Sequence, residues 1–429
     1  MSTNDMFGQE LSTWLQEEGE HRVPDHLREV LVRTAATRQR PWWSSPERWL
    51  PMQTTLRLVP VPRIAWVLVV IALLIAIGVA AVAVGSHPHQ LPLPFGPARN
   101  GAIVFGGSDQ DIHALDPLTG ATAALISGAE NDRAPLMSRD GTRFVFLRDT
   151  AIADPVLGTP EPMIMVANAN GSGVRSLTPA LAGFQGSAWS ENLSWSNDGS
   201  RVAVPLNVGG RPAIEVLAVD GSAKPIVADT GGRDGSFLAF RPDDQELVFN
   251  GGTSNGNGLF AVGADGHGLR TILDPANADY ASLSPDGKEL AFAVPGDAYN
   301  VIRVVDVDTG VVRTPAFVPA VTGQGEADAQ SWWSPDGTRL LIQRYGAGQY
   351  QLAVAPAAGG RVVGIGPVMP QKGGQRVEAQ FSPDGLRVLV HFDDGGATWL
   401  LDATGATTGT QLPSSIAEAA TWQRLALAP

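Results

Sequence analysis

A strand–turn–strand unit recurs six times in this 429-residue chain, and that recurrence limits the folds open to it more than any other feature. The units are MSRDGTRFVF (Met137 to Phe146), WSNDGSRVAV (Trp195 to Val204), FRPDDQELVF (Phe240 to Phe249), LSPDGKELAF (Leu283 to Phe292), WSPDGTRLLI (Trp333 to Ile342) and FSPDGLRVLV (Phe381 to Val390). In Ser334-Pro335-Asp336-Gly337 the proline presets φ, the aspartate bonds its own backbone and the glycine closes the turn. The residues that follow are β-favouring, as in Arg387-Val388-Leu389-Val390. The turn aspartates Asp140, Asp198, Asp243, Asp286, Asp336 and Asp384 recur at roughly 40 to 60 residues, the period of propellers and arrays.

A second set of turns counts the units independently. Asp116-Pro-Leu-Thr-Gly120, Asn168-Ala-Asn-Gly171, Asp220-Gly221, Asp265-Gly266, Asp306-Val-Asp-Thr-Gly310, Ala358-Gly359-Gly360 and Asp402-Ala-Thr-Gly405 are seven later hairpins against six first turns. The mismatch has a physical meaning. Gly101-Ala-Ile-Val-Phe105 has no first strand ahead of it, and Ala420-Thr-Trp-Gln-Arg424 is a first strand with no turn behind it. Joining the two makes a seventh blade from both ends of the repeat region and removes the open sheet edges of a linear array. The expectation is an all-β, seven-bladed β-propeller over 101–429, with six blades as the alternative if one unit is degenerate.

These SPDG units resemble the WD40-like repeats of TolB-type β-propeller proteins, over about three quarters of the chain. The resemblance implies the fold and a bacterial cell envelope. It says little of function, because the motif builds a turn and not a site. TolB proteins combine six blades with an N-terminal α/β domain. This chain shows neither, so TolB's partners are not carried over.

Ahead of the repeats, residues 1–63 read as a cytosolic segment of short amphipathic helices. Phe7, Leu11, Trp14 and Leu15, then Leu27, Val30, Leu31 and Thr34, fall at helical spacing. Trp42, Trp43 and Trp49 among Arg38, Arg40 and Arg48, followed by Arg63, suit a membrane interface. A small packed tryptophan cluster or a docking motif for a cytosolic partner are the other readings. Residues 64–85 contain no charged residue and would span about 33 Å as a helix, the thickness of a bilayer's hydrocarbon core. The arginines on its N-terminal side predict a single-pass protein with a cytoplasmic N-terminus and an extracytoplasmic propeller. A cleaved signal peptide is the competing reading, disfavoured by the long lead before the apolar run. Residues 86–100 form a Pro-rich spacer, and His87 and His89 within it read as solvated linker residues.

Composition removes several classes of function. There is no cysteine, which excludes thiolate metal sites, a cysteine nucleophile and a disulfide framework. The net charge is -13, and residues 1–63 hold equal numbers of arginines and acids, so the excess lies in the remainder and argues against nucleic acid. No G-x-S-x-G elbow and no H-E-x-x-H spacing is present. His113, His267 and His391 are scattered over different blades. No catalytic residue, metal site or cofactor is therefore expected.

Two patterns recur within the blades. A large apolar residue ends each first strand: Met137, Trp195, Phe240, Leu283, Trp333, Phe381 and Trp422. These should pack between blades. An acid stands three to six residues earlier: Asp132, Glu191, Asp234, Asp279, Asp328, Glu378 and Glu418. Since first strands line the channel of a propeller, these seven form a candidate acidic ring at its mouth for a cation or basic peptide. The competing expectation is that they solvate loops or bond neighbouring backbone. The segment Asp149 to Glu161 is the longest insertion and a candidate contact loop.

Two functional readings follow. One is a non-catalytic extracytoplasmic scaffold, held in the lipid bilayer by its N-terminal helix, that recognises a protein or a cell-envelope ligand through propeller loops. The other is a transmembrane regulator with the architecture of membrane anti-sigma factors, in a zinc-free form because the zinc-binding version needs cysteines. A propeller hydrolase is the least favoured reading.

Overall fold

The computed structural model describes residues 96–427, apart from loop segments at 154–157, 159, 182–192, 209–210, 234–236, 255, 275–277, 295–299, 321–326, 372–376, 393–396 and 417–419. Residues 1–95 lie outside the described residues, and with them the expected cytosolic helices, Trp42, Trp43, Trp49, Arg63, the apolar stretch 64–85 and most of the spacer. Among the described residues no helix is long and apolar enough to cross a membrane.

The repeats fold as seven four-stranded antiparallel sheets, the seven blades of a β-propeller. Blade 1 begins at the strand Asp132–Met137, blade 2 at Ser194–Trp195, blade 3 at Leu238–Phe240 and blade 4 at Asp279–Leu283. Blade 5 begins at Ala327–Trp333 and blade 6 at Val377–Phe381. Blade 7 takes its inner strand, Thr421–Leu425, from the C-terminal side and its other three, Arg99–Gly106, Ile112–Leu115 and Thr122–Ile126, from the N-terminal side. This is the closure expected from the unequal turn counts, with Ile103 opposite Trp422 across the junction. The propeller's first strand starts at Arg99, slightly ahead of the expected Gly101. A short parallel pair, Ala316–Val318 with Gly359–Arg361, joins the outer parts of blades 4 and 5.

The turn motif works as its chemistry predicts. In blade 5 Ser334 Oγ donates to Asp336 Oδ1 at 2.5 Å and accepts from Arg339 N at 3.0 Å, so one hydroxyl ties both strands to the turn. Gly337 sits at φ 70°. In blade 3 Asp244 takes the glycine's place at φ 58°, a conformation that Asp tolerates better than most side chains. Its carboxylate accepts from Asn197 N, Asn197 Nδ2 and Asp198 N, pinning the turn of blade 2.

Because each sheet has two faces to bury, the core is distributed. Seven clusters of buried apolar residues each straddle one blade interface, including blade 6 to blade 7 (Leu389 and Leu400 with Ile103 and Phe105) and blade 7 to blade 1 (Ile112 and Ile126 with Phe144 and Phe146). Fully buried residues such as Phe249 and Phe292 each contribute about 1.5–3 kcal/mol. A polar clasp repeats over them. Arg201 and Arg339 each donate to a turn carbonyl of the next blade, that of Asp244 at 2.6 Å and of Gly385 at 2.7 Å. Each also lies over the next blade's strand-ending ring, Phe240 and Phe381, at 5.4 Å.

The strand-ending residues lie at the blade contacts as expected. Met137, Trp195, Phe240, Phe381 and Trp422 are buried, and Leu283 and Trp333 are half-buried. Trp195 Nε1 donates to Leu136 O and Trp333 Nε1 to Ser282 O, in each case to the inner strand of the preceding blade. The Asp149 to Glu161 insertion lengthens the central hairpin of blade 1, which remains paired as far as Ala153 and Pro160.

Candidate functional site: the central channel

The inner strands of all seven blades enclose one cavity of about 690 Å³. Trp195, Phe237, Tyr280, Trp332, Phe381 and Trp422 supply its aromatic surface. A smaller space of about 260 Å³ lies toward the SPDG-type turns and shares Arg139, Ser282, Trp332, Phe381 and Arg424 with it. The channel therefore has two chemically distinct ends: the loop end, where each inner strand begins, and the turn end, where it runs into its turn.

At the loop end the expected acidic ring resolves into different parts. Asp132 lies opposite Arg148 and Asp328 opposite Arg344 across the first two strands of their blades. Each carboxylate is buried and held by two hydrogen bonds from its arginine, at 2.7 and 2.7 Å for Asp132 and 2.7 and 2.9 Å for Asp328. These two acids stitch strands together, and their charge is met inside the blade. Glu378 is half-buried and lines the channel, with His391 as its cross-strand partner. His391 Nδ1 is 2.8 Å from Thr398 Oγ1. Asp279 lies on the inner strand of blade 4, but its side chain, like Glu191, Asp234 and Glu418, lies outside the described residues.

The acids also mark a backbone feature that sequence reading missed. In blades 1, 4 and 5 the register slips just after the acid, between Arg133 and Leu136, Asp279 and Ser282, and Asp328 and Ser331. Ala134 and Tyr280 take positive φ there, 53° and 50°. Such bulges re-aim side chains, and Tyr280, half-exposed, lines the channel. Pro135 stands within the blade 1 bulge, but no glycine or proline marks those of blades 4 and 5.

The channel wall carries polar atoms whose hydrogen-bonding capacity is unused among the described residues: Gln330 Oε1, Ser331 Oγ, Ser282 Oγ and Trp422 Nε1. Gln330, Ser331 and Trp422 are all more than nine-tenths buried. Buried polar groups are normally satisfied, and here both donors and acceptors are left open along the wall.

At the turn end stand Arg139 and Arg424. Burial depresses both guanidiniums. Arg424 falls to about 10, with the neighbouring positive charge of Arg139 adding to the effect of burial. For Arg139 the Asp244 carboxylate opposes burial without overcoming it.

A separate cluster lies in blade 7. Asp109, Asp111 and His113 bring three possible ligand atoms within 4.8 Å of one another. The sequence reading left His113 without partners; the hairpin supplies them. Asp109 accepts from His113 Nε2 at 2.9 Å, which holds the Asp109 carboxyl below its usual range. His113 also stacks on Phe105 at 5.5 Å. A hydrogen bond with a ring contact accounts for this geometry.

No family model and no curated protein matches the sequence. Solved structures do. Oligogalacturonate lyase in complex with manganese is similar at 16% identity and TM-score 0.52, over 77% of this chain and 91% of that one. A prolyl endopeptidase is similar at 11% identity and TM-score 0.51, over 77% of this chain and 51% of that one, so the chain spans about half the enzyme's length. TolB from Acinetobacter baumannii is similar at 16% identity and TM-score 0.48, over 75% and 82%. At these identities the likeness is one of fold. The seven closed sheets and their SPDG turns define the class: a seven-bladed β-propeller.

Proposed function

We propose that this chain is a non-catalytic binding protein whose propeller recognises its ligand at the central channel and the loops around it. The observation that carries this reading is the channel itself. Seven blades converge on one cavity of a size suited to a bound ligand or the end of a partner chain, lined with aromatic faces and with polar atoms that have no hydrogen-bond partner among the described residues. The rigid closed ring behind it supports a recognition surface at little conformational cost.

The placement belongs to the same proposal. The uncharged stretch 64–85, the arginines before it and the Pro-rich spacer after it support a single-pass protein of the bacterial cell membrane, with the propeller outside and its partner another protein or a cell-envelope component. Protease added to intact spheroplasts then degrades the propeller and spares an epitope at the N-terminus; the reverse pattern would refute the orientation.

The neighbouring enzymes show that propellers also accompany catalysis, and Glu378 facing His391 across two strands is the channel's nearest approach to an acid–base pair. Binding is preferred because His391 Nδ1 is already engaged with Thr398, and of the three expected acids whose side chains are described, Asp132, Asp328 and Glu378, only Glu378 lines the channel. Affinity capture from native membranes separates the readings. The full-length chain retains a partner, and Trp332→Ala in the channel wall releases it. Release on scrambling Glu10 to Thr37, with the channel variant still binding, would instead establish the regulator reading, in which the propeller senses and the N-terminal segment reports.

A further inference from the structure

Two neighbouring blades break the repeat on the channel wall. In blades 4, 6 and 7 the residue just before the strand-ending apolar one is Ser282, Gln380 and Thr421, and none of the blades other than blade 5 carries an aromatic there. In blade 5 it is Trp332, whose half-buried indole lines both parts of the cavity. In blade 4 the bulge between Asp279 and Ser282 holds Tyr280 at φ 50°, and its ring lines the same cavity with 48% of the residue exposed. Tyr280 also acts on blade 5: after burial, its phenol is what pushes the Tyr345 hydroxyl up.

A second irregularity falls on the same two strands. Ser282 Oγ, Gln330 Oε1 and Ser331 Oγ have no hydrogen-bond partner among the described residues, and all three residues line the cavity. The repeat shows what is unusual in this. The hydroxyls of Ser194 and Thr421, equivalent in position to Ser282, each accept from the backbone of the next blade, from Phe240 N at 2.9 Å and Met137 N at 3.4 Å. Ser282 Oγ makes no such bond; only its carbonyl is engaged, by Trp333 Nε1. Gln330 and Ser331 are 4% and 3% exposed. None of the residues that blades 4 and 5 contribute to the cavity wall is charged, and the acid on the inner strand of blade 5, Asp328, is met by Arg344.

We infer that the channel side of blades 4 and 5 is a binding site for a neutral saccharide, with a sugar ring stacked against Trp332, Tyr280 as the second aromatic contact, and sugar hydroxyls bonded to Ser282, Gln330 and Ser331. A pyranose offers a flat face of C–H bonds, slightly positive, to the negative face of an aromatic ring. Its hydroxyls both donate and accept. Gln330 Oε1 requires a donor, and the serine hydroxyls take either role. A buried polar atom without a partner costs free energy, which a ligand supplying the missing bond recovers. A hydrocarbon would leave these atoms unmet, and an acidic sugar would lose its hydration against a wall with no charge to answer it. A cavity of about 690 Å³ falls in the range of small-ligand pockets.

This assignment rests on the channel being the recognition site and names the chemistry of what it holds. The test places the full-length chain, in lauryldimethylamine oxide (a detergent without a sugar headgroup), on a printed array of neutral oligosaccharides, acidic oligosaccharides and uncharged peptides. Neutral oligosaccharides retain the protein, and the best of them is then titrated calorimetrically. Trp332→Ala weakens its binding about tenfold or more, and Trp332→Phe, which keeps a stacking face, weakens it less. Should Trp332→Ala not fold, Tyr280→Ala decides, because it removes a half-exposed ring and leaves the core intact: a severalfold loss of affinity supports the assignment. Retention by no neutral oligosaccharide, retention by acidic oligosaccharides or peptides alone, or unchanged affinity in the aromatic variants overturns it. If partner capture from native membranes remains sensitive to Trp332→Ala while no neutral saccharide binds, only the saccharide assignment fails; the binding function stands.

Discussion

The two ends of the channel are made from the same seven strands, yet they treat charge in opposite ways. At the loop end Asp132 and Asp328 are drawn into their own blades and met by Arg148 and Arg344. At the turn end Arg139 and Arg424 are brought together from two blades, and burial lowers the pKa of both. The first arrangement spends charge on holding strands together. The second gathers two arginines of neighbouring blades along the channel wall. Charged residues at repeated positions are thus poor guides to function until it is known what faces them across the sheet.

The comparison can be broken most sharply at the loop end. Asp328→Ala leaves the half-buried Arg344 without its carboxylate and should cost about 2–3 kcal/mol in denaturant unfolding. A loss below about 1 kcal/mol, the scale of an exposed ion pair, would mean that Asp328 is not acting as a strand staple. At the turn end two glycines with the same φ of 70° separate backbone conformation from ring closure. Gly337→Ala should cost about 1–2 kcal/mol from the left-handed backbone alone. Gly141→Ala should cost more, because a Cβ there would lie 1.9 Å from the Arg424 carbonyl oxygen, against 3.7 Å to the nearest atom at Gly337. Equal losses would show that blade 7 does not close tightly over blade 1.

Smaller effects sharpen the picture of the turns. Ser334→Ala removes the hydroxyl that joins Asp336 to Arg339 N and should cost about 1 kcal/mol, read as a shift in the denaturation midpoint. The pH dependence follows from the same bonds. Burial pushes the carboxyls of Asp198 and Asp336 up, but the serine and backbone donors around them pull harder, and both lie below the usual value. A carboxyl lowered on folding stabilises the folded state above its unfolded pKa of about 4, and that contribution is lost as the pH falls through the folded value. The melting temperature should therefore hold from pH 7 to about 5 and fall below about 4, with a shallower fall in Ser334→Ala. An unchanged acid slope in that variant would show that the turn serine does not set the Asp336 pKa.

Much of the architecture was legible because a turn motif is local chemistry. Pro335, Asp336 and Gly337 determine their backbone through covalent geometry and one side-chain bond, so six copies were countable without coordinates. The seventh blade was legible as an imbalance between two kinds of turn, since a strand without a partner must find one elsewhere. The apolar residue at each strand end was readable for the same reason: its position relative to the turn sets which way it points.

The channel's chemistry was decided by the tertiary structure. Asp132 and Glu378 look alike in the repeat, but one faces Arg148 across the strand pair and the other faces His391. That difference lies in a residue some distance along the chain, brought opposite by register. The bulges that re-aim Tyr280 leave no turn signature. Arg139 and Arg424 stand at opposite ends of the repeat region and meet only because the last strand closes the ring on the first blade. A sequence comparison at the repeat position shows both as arginines among prolines; only closure of the ring makes them neighbours on one cavity wall.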